Sequence, residues 1–230
     1  MTITYHEDLI QGSEEWHAAR CGLITASEMK LILTPTLKVA NNDKTRAHVW
    51  ELAAQRITNY VEPTYIGEAM LRGHEDEILA RALYSEHFAP VTECGFVTND
   101  EWGFTLGASP DGLVGDDGMI ECKSRIQKYQ VQTIVEHYRD GTTPDEFTLQ
   151  VQTGLLVTGR RWCDLISYSG GLPMQPMRCV ADPEIQAAII DACTAFEAKI
   201  AEAIADYHAA LSADERLIPT ERRIEQEMIV

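Results

Sequence analysis

The chain has 230 residues, of which 45% are hydrophobic, with four Trp. That composition suits one domain with a sizeable core and excludes a disordered or fibrous chain. The 19 Lys and Arg against 36 Asp and Glu give a formal net charge of −17, which excludes the uniformly basic surface common among nucleic-acid binders.

No run approaches the roughly 18 apolar residues of a membrane span. The first eight residues lack the basic and apolar regions of a signal peptide, so a cytosolic location and no membrane partner are expected. The six cysteines, Cys21, Cys94, Cys122, Cys163, Cys179 and Cys193, form no C-x-x-C pair. They read as reduced, buried thiols, without zinc or an iron–sulfur cluster.

In chain order, Ser13 is expected to cap a short helix that carries Trp16 and ends near Arg20-Cys21-Gly22. Thr25-Ala26-Ser27-Glu28 then opens another, with Thr25 as N-cap and Glu28 at the capping-box position. A helix N-terminus attracts anions, and Arg20 and Ser27 beside it would cradle a phosphate. From spacing alone, simple capping accounts for Thr25 and Ser27 equally well. Residues 34–43 read as a loop and 44–60 as a helix, with Val49, Leu52, Ala53 and Ile57 on one side. Residues 67–87 read as a further helix, broken near Gly73. Glu77 lies on its charged side with Ile78, Leu79, Ala82 and Leu83 behind it, and a helix glutamate of this kind is ordinarily solvated.

Two strands, residues 91–98 and 102–108, are expected to meet at Asn99-Asp100. Ser109-Pro110-Asp111-Gly112 then has the chemistry of a tight turn, and Gly115-Asp116-Asp117-Gly118 that of a second. Met119 to Lys123 reads as a strand, so Glu121 and Lys123 share one face and Cys122 takes the other. If both turns fold back, Asp111 comes close to Glu121, and two carboxylates converge with one ammonium. Such a set suits a hard divalent cation, with the Cys122 carbonyl as a third oxygen. Lys123 would hold or deprotonate the attacking water, or neutralise charge developing on a phosphorus centre. A hairpin tip with solvated charges would look the same in isolation.

Thr143-Pro144-Asp145-Glu146 reads as a helix start, with Thr143 as cap, Pro144 at the first position and Glu146 closing the box. That helix carries Gln150 and Gln152 and runs to about Gly159. Strands follow at 162–167 and 174–180, joined by Ser169-Gly170-Gly171. Asp182-Pro183-Glu184 opens a long last helix whose Ile185, Ile189, Cys193, Phe196, Ile200, Ile204, Tyr207 and Leu211 form one apolar stripe. Charge is unevenly spread: residues 1–60 hold 6 basic and 7 acidic residues, residues 182–230 hold 4 and 11. The basic stretch follows the motif strand, with Lys123, Arg125, Lys128 and Arg139. The seven His are scattered, and His17 and His74 read as hydrogen-bonding surface residues.

Pro-Asp followed by Glu-x-Lys on a strand resembles the PD-(D/E)xK nucleases. The flanks narrow the resemblance: Trp16-His17-Ala18-Ala19-Arg20-Cys21-Gly22-Leu23-Ile24-Thr25-Ala26-Ser27, then Gly73-His74-Glu75-Asp76-Glu77, then Gln150-Val151-Gln152. In this order, from about residue 10 to 168, the chain resembles the lambda-exonuclease and YqaJ-type viral recombinase family. The first string is far more specific than the Asp/Glu/Lys set.

The resemblance implies an α/β restriction-endonuclease-like core, a mixed central β-sheet flanked by α-helices. It implies one nuclease domain over 1–230: a helical N-terminal part with the phosphate pocket (1–60), the catalytic core (61–180), a C-terminal helix (181–211) and a tail (212–230). It further implies a Mg²⁺-dependent enzyme, with Mn²⁺ substituting, that degrades one strand of linear duplex DNA from the 5′ end. The 3′ overhang would serve recombination with a single-strand annealing protein, in a phage- or prophage-encoded system within the host cytoplasm. Glu77, Asp111, Glu121, Lys123 and Gln150 would be catalytic, with the metal on Asp111, Glu121 and Cys122. Arg20, Thr25, Ser27, Ser109, Arg125 and Lys128 would bind DNA phosphates. An Arg that contacts phosphate in the family falls at Tyr129 in an ungapped alignment, so Arg125 or Lys128 would substitute. The family's homotrimeric ring would retain DNA by topology. The competing readings are a structure-specific endonuclease of the same fold and a non-catalytic DNA-end-binding protein; circular duplex and metal-free binding, respectively, discriminate them.

Overall fold

The structure, a computed structural model, describes residues 2–63, 67–213 and 216–222. The end of the tail, Met228-Ile229-Val230, lies outside them. The elements in order are β1 (Ile3–His6), α1 (Glu14–Arg20), β2 (Ile24–Thr25), α2 (Asp43–Thr58), α3 (Glu68–His87), β3 (Phe96–Asn99), β4 (Leu106–Ala108), β5 (Gly112–Val114), β6 (Gly118–Ser124), α4 (Gln127–Thr133), α5 (Asp145–Thr158), β7 (Trp162–Tyr168), β8 (Gln175–Val180) and α6 (Pro183–Ala213). A six-residue 3₁₀ turn, Ala26–Leu31, follows β2, and a π-helical turn, Ile134–Tyr138, follows α4.

The expected α/β class holds, with two four-stranded mixed sheets, ordered β1-β3-β4-β2 and β5-β6-β7-β8. In the second, β6 pairs parallel to β7 in the register Glu121↔Leu165 and Lys123↔Ser167. Parallel neighbours need a long crossover, and α4 through α5 supplies it. Helix α5 is buried over much of its surface, with Leu149, Val151, Leu155 and Val157 alongside Gln152, Thr153 and Thr158. The main core gathers these with Ile24, Met29, Leu106, Cys193, Phe196 and Ile200. A smaller cluster, Ala80, Tyr84, Val114, Ile120, Cys122 and Ile166, lies under α3.

Several local expectations hold. Ser13 caps α1 by accepting from the Trp16 N–H at 3.2 Å, and Gly159 ends α5 at φ 66°, a left-handed position that glycine takes without strain. Others are corrected. Thr25 makes no side-chain cap bond, and the segment it precedes is a short 3₁₀ turn; its hydroxyl goes to Glu28 and Arg20 instead. Pro144, not Thr143, occupies the cap position of α5, and Glu146 pairs with Arg125 at 2.7 Å instead of closing a capping box. Strands β3 and β4 are shorter than expected. Tyr207 and Leu211, at the end of the α6 stripe, are exposed at 44% and 45%, since nothing among the described residues covers the last turns.

The largest correction concerns α3. The helix runs through Gly73 without a break, and its apolar residues face outward: Ile78 is 46% and Leu79 51% exposed. The buried face is Ala80 and Tyr84, flanked by the half-buried Glu77 and Arg81. One buried hydrogen bond accounts for that orientation. The Tyr84 hydroxyl donates to Asp164 Oδ2 on β7 at 2.5 Å, and Arg178 on β8 holds the same carboxylate through Nε and Nη2. Burial, with the bond and charge of Asp164, pushes the Tyr84 pKa up, so the phenol stays a donor.

Tyr84→Phe should therefore lower stability by about 1–3 kcal/mol, the cost of leaving a buried acceptor short of a partner. Urea unfolding monitored by Trp fluorescence measures it; an unchanged midpoint would show that the bond does not anchor α3.

Candidate active site

The hairpin β5–β6 builds the site. Its turn passes through Gly115 at φ 53°, and the register pairs Gly112 with Ile120. Asp111, just before β5, extends the ladder: its N–H donates to the Ile120 carbonyl at 3.2 Å, and its Oδ2 accepts from the Cys122 N–H at 2.5 Å. The Ser109–Gly112 segment is therefore a strand entry rather than a closed turn. Asp111 and Glu121 are both buried, at 7% and 5% exposure. As the alternation requires, Glu121 and Lys123 share a face. Lys123 Nζ donates to Glu121 Oε1 at 2.7 Å and to Gln150 Oε1 at 2.9 Å, and Gln150 Nε2 donates to Glu121 Oε1 at 2.5 Å. This closed triangle fixes all three side chains. Cys122 turns its thiol into the smaller core cluster, where burial pushes its pKa well up and leaves it chemically quiet.

Glu77 arrives from α3. Of the three neighbouring acids, Glu75 is exposed and Asp76 accepts from the Ser124 hydroxyl. Glu77 meets Arg81 Nη1 at 3.5 Å and lies close to the Asp111 carboxyl; Arg81 also donates to the Asp111 carbonyl at 3.1 Å. Burial raises the Glu77 pKa, with Arg81 and His74 opposing and Glu121 reinforcing. Asp111 is pushed well above the usual carboxylate range, first by burial and then by the charges of Glu121 and Glu77. For Lys123, burial pulls down, but Glu121 and Asp111 outweigh it and the net shift is upward, so the side chain is an ammonium.

The donor set fits a hard divalent cation. Asp111 and Glu121 are buried beside the half-buried Glu77, and burial followed by the charges of Glu121 and Glu77 raises the Asp111 pKa, the direction that a nearby positive charge would reverse. Asp111 and Glu121 supply oxygen ligands of the right kind. Glu77, Asp111 and Glu121 do not form a set whose oxygens all lie within 4.8 Å of one another, because Glu121 is held by Lys123 and Gln150.

Beside this centre lies Arg20, at the end of α1. Its Nη2 donates to Thr25 Oγ1 at 3.1 Å and its Nη1 to Ser109 Oγ at 3.4 Å, and the guanidinium stacks on Trp16 at 4.2 Å. Among the described residues it makes no ion pair. Burial lowers the Arg20 pKa while the charge of Glu28 raises it, and the guanidinium remains charged. A half-buried cation with only hydroxyl partners is short of an anion. Ser109 Oγ also accepts from Trp16 Nε1 at 3.0 Å, so its own proton is free to be donated. Thr25, 1% exposed, gives its proton to Glu28 Oε2 at 2.6 Å, so it positions Arg20 and has no donor left for a phosphate. Ser27 lies 3.3 Å from Thr25 Oγ1.

These groups share one cleft of about 190 Å³, lined by Arg20, Ser27, Ser109, Asp111, Glu121 and Gln150 among others. A larger cavity of about 510 Å³ lies beside α5, lined by Gln152, Arg178 and Asp182, and holds none of the motif acids. Gln152 is a clamp there, joining the Val180 carbonyl to the Asp182 N–H. Arg125 and Lys128 do not line the cleft. Arg125 is paired with Glu146 and lies 5.1 Å from the Phe147 ring, and Lys128, exposed, sits 4.7 Å from the Tyr129 ring. Sequence reasoning missed Arg81, four residues beyond Glu77, and the part Trp16 plays in holding Ser109. The i, i+4 spacing of Glu77 and Arg81 was the available signal.

The YqaJ-like viral recombinase domain pattern matches residues 15–161. The crystal structure of an alkaline exonuclease (LHK-Exo) from Laribacter hongkongensis is 35% identical, covering 87% of this chain and 98% of that one with a TM-score of 0.75. The same exonuclease in complex with dAMP gives a TM-score of 0.76 at the same identity and coverage. A phage related exonuclease from Haemophilus somnus 129PT, at 12% identity over 80% of this chain and 96% of that one with a TM-score of 0.58, shares the fold. Among curated proteins no match is found. The matched span runs from before Trp16 to beyond Gln150 and so takes in the anion pocket and the acidic centre together: the chain belongs to the YqaJ-like viral recombinase family.

Proposed function

We propose that this exonuclease-family enzyme is a Mg²⁺-dependent 5′→3′ exonuclease of linear duplex DNA that leaves 3′ single-stranded overhangs for recombination. The observation that carries the reading is the shared cleft, in which an anion-seeking Arg20 stands beside Asp111, Glu121 and Gln150, the last two bonded to the Lys123 ammonium. A 5′ phosphate on Arg20, Ser109 and Ser27 would stop the strand at a fixed distance from that set. The dAMP complex of the Laribacter enzyme is in keeping with a mononucleotide product.

Asp111, Glu121 and the Cys122 carbonyl would hold the cation, with Mn²⁺ able to replace Mg²⁺. When bound, the cation supplies Lewis-acid stabilisation of charge on the scissile phosphate. Lys123 donates to the attacking water or to the phosphate oxygens, since it is protonated and cannot start as a base. Gln150 fixes Lys123 and Glu121 against each other, and Glu77, held by Arg81, would add a further carboxylate beside the cation. Digestion of end-labelled linear duplex with Mg²⁺ and with EDTA tests the whole reading; cleavage in EDTA, or cleavage of closed circles, would overturn it.

Glu121→Gln and Lys123→Ala should each lower the cleavage rate by about 10²–10³ or more, with the fold intact by circular dichroism. Asp111→Asn should do the same and also stabilise the metal-free protein. A raised folded-state pKa contributes stability below the ordinary carboxylate range and loses it as pH rises through the raised value. In EDTA at pH 8 the variant should therefore melt higher than wild type, and the gap should close towards pH 4. Equal melting at both pH values would show that Asp111 is not under charge strain.

A 5′-phosphorylated end should be cut faster than a 5′-hydroxyl end, and Arg20→Ala should erase that preference. Competition between the two labelled ends in one reaction reads it directly; equal rates in wild type would assign the pocket elsewhere.

The acidic balance supports a ring. Duplex affinity comes largely from phosphate neutralisation, and 19 basic residues against 36 acidic leave one subunit weak. Exposed Met70, Leu71, Ile78 and Leu79 on α3 are apolar surface of the kind that subunit contacts cover. A homotrimer with head-to-tail contacts and a channel gathering Arg20, Lys123, Arg125 and Lys128 would hold DNA by topology and deliver overhangs to a single-strand annealing protein. Light scattering on a sizing column should give three chains, and loaded enzyme should continue through a heparin trap. A stable monomer at micromolar concentration would exclude the ring.

A further inference from the structure

Behind Thr25, away from the nuclease centre, a second set of ligand-type side chains comes together. Glu28 lies on the 3₁₀ turn after β2, and His48 and Glu51 lie one turn apart on α2. One donor atom of each lies within 4.8 Å of the other two, the one such set among the described residues. His48 is 1% exposed and packs 5.6 Å from the Phe196 ring. Its Nδ1 is 2.9 Å from Glu51 Oε2. A carboxylate only accepts, so Nδ1 carries the proton there. In the neutral ring Nε2 is then a lone pair, and it faces Glu28 Oε2 at 4.0 Å.

That gap is the informative feature. Nε2 is fully buried and has no hydrogen-bond partner among the described residues. Two acceptors confront each other; only three other buried side-chain atoms among the described residues, Thr45 Oγ1, Arg125 Nε and Arg160 Nε, lack a partner, and a buried unpartnered atom calls for an explanation. A proton on Nε2 would draw Glu28 in to about 2.8 Å, and 4.0 Å is beyond a hydrogen bond. Two ligands that each sit about 2.0–2.2 Å from one cation would span the gap with little movement. The Glu51–His48 contact is the carboxylate–histidine pairing that orients a metal-bound imidazole.

We propose that Glu28 and His48 bind a second divalent cation, with Glu51 orienting the imidazole, at a site separate from the nuclease centre. One imidazole nitrogen with carboxylate oxygen selects a borderline transition cation, such as Zn²⁺ or Co²⁺, over Mg²⁺ or Ca²⁺. The site has a route to the cleft: Glu28 Oε2 accepts from Thr25, and Thr25 accepts from Arg20. A cation there would offset the Glu28 charge and leave more of the guanidinium's charge for an anion in the pocket. That consequence rests on the anion-pocket reading above; the binding of the cation does not.

The test is made without DNA, on the full chain carrying Asp111→Asn and Glu121→Gln to disable the nuclease centre. After stripping with chelator, titration with Co²⁺ followed by visible absorption should show one equivalent bound, with the bands of imidazole ligation. Adding Glu28→Gln or His48→Gln should weaken binding by about tenfold or more and remove those bands. Glu28 is on a surface turn, so its variant keeps the test valid if the buried His48 variant fails to fold. No Co²⁺ bound by the parent chain, or unchanged affinity and spectrum in Glu28→Gln, would overturn the site.

Discussion

The structure depends on one constraint: two buried carboxylates, Asp111 and Glu121, are held beside a half-buried third, Glu77. Asp111 is pinned by backbone groups of β6 on one side and meets Glu77 on the other. Such a cluster costs free energy unless cations compensate it. Two are built in, Arg81 against Glu77 and Lys123 against Glu121, and each is fixed by a second bond, to the Asp111 carbonyl or to Gln150. The remaining deficit falls on Asp111. A site left short of positive charge by its own scaffold is prepared for a divalent cation, at the expense of the metal-free fold.

The anion pocket shows the same logic with the sign reversed. Arg20 is half-buried against the Trp16 face with hydroxyl partners only, so the deficit there is of negative charge. The two unmet demands line one cleft: an anion such as a phosphate would meet the one at Arg20, and a divalent cation the one at the carboxylates. The polar groups around Arg20 each have a fixed direction. Trp16 occupies one acceptor site of Ser109, Glu28 takes the proton of Thr25, and the guanidinium is thereby held without a carboxylate touching it.

Helix α3 illustrates how a functional demand reverses an ordinary pattern. On a surface helix the apolar stripe turns inward, yet here Glu77, Ala80, Arg81 and Tyr84 turn inward and Ile78 and Leu79 outward. The Tyr84–Asp164 bond and the Glu77–Arg81 contacts outweigh the burial of a few aliphatic side chains, because an unsatisfied buried carboxylate costs more than an exposed leucine. The aliphatic face is left for a further surface to cover.

Much of the site was legible from local rules. Period-two alternation on β6 set Glu121 and Lys123 on one face and Cys122 on the other, the turn chemistry around Gly115 implied the hairpin that brings Asp111 back, and the string from Trp16 to Ser27 identified the family. These are short-range or one-dimensional signals. The roles of Thr25, Glu28, Arg81 and Arg125 were not legible, since each is settled by a partner that only the folded chain brings near. Thr25 looks like a helix cap until Arg20 and Glu28 claim its hydroxyl, and Arg125 looks unpaired until the fold brings Glu146 to it. His48 carries no signal of its own in the sequence. Only the packing of α2 against the turn after β2 sets its buried nitrogen opposite a carboxylate. The sequence alone thus determined which chemical groups the protein owns and which face of a strand they share. Tertiary structure decided which of them are desolvated together, and desolvation is what turns an ordinary charge into a binding site.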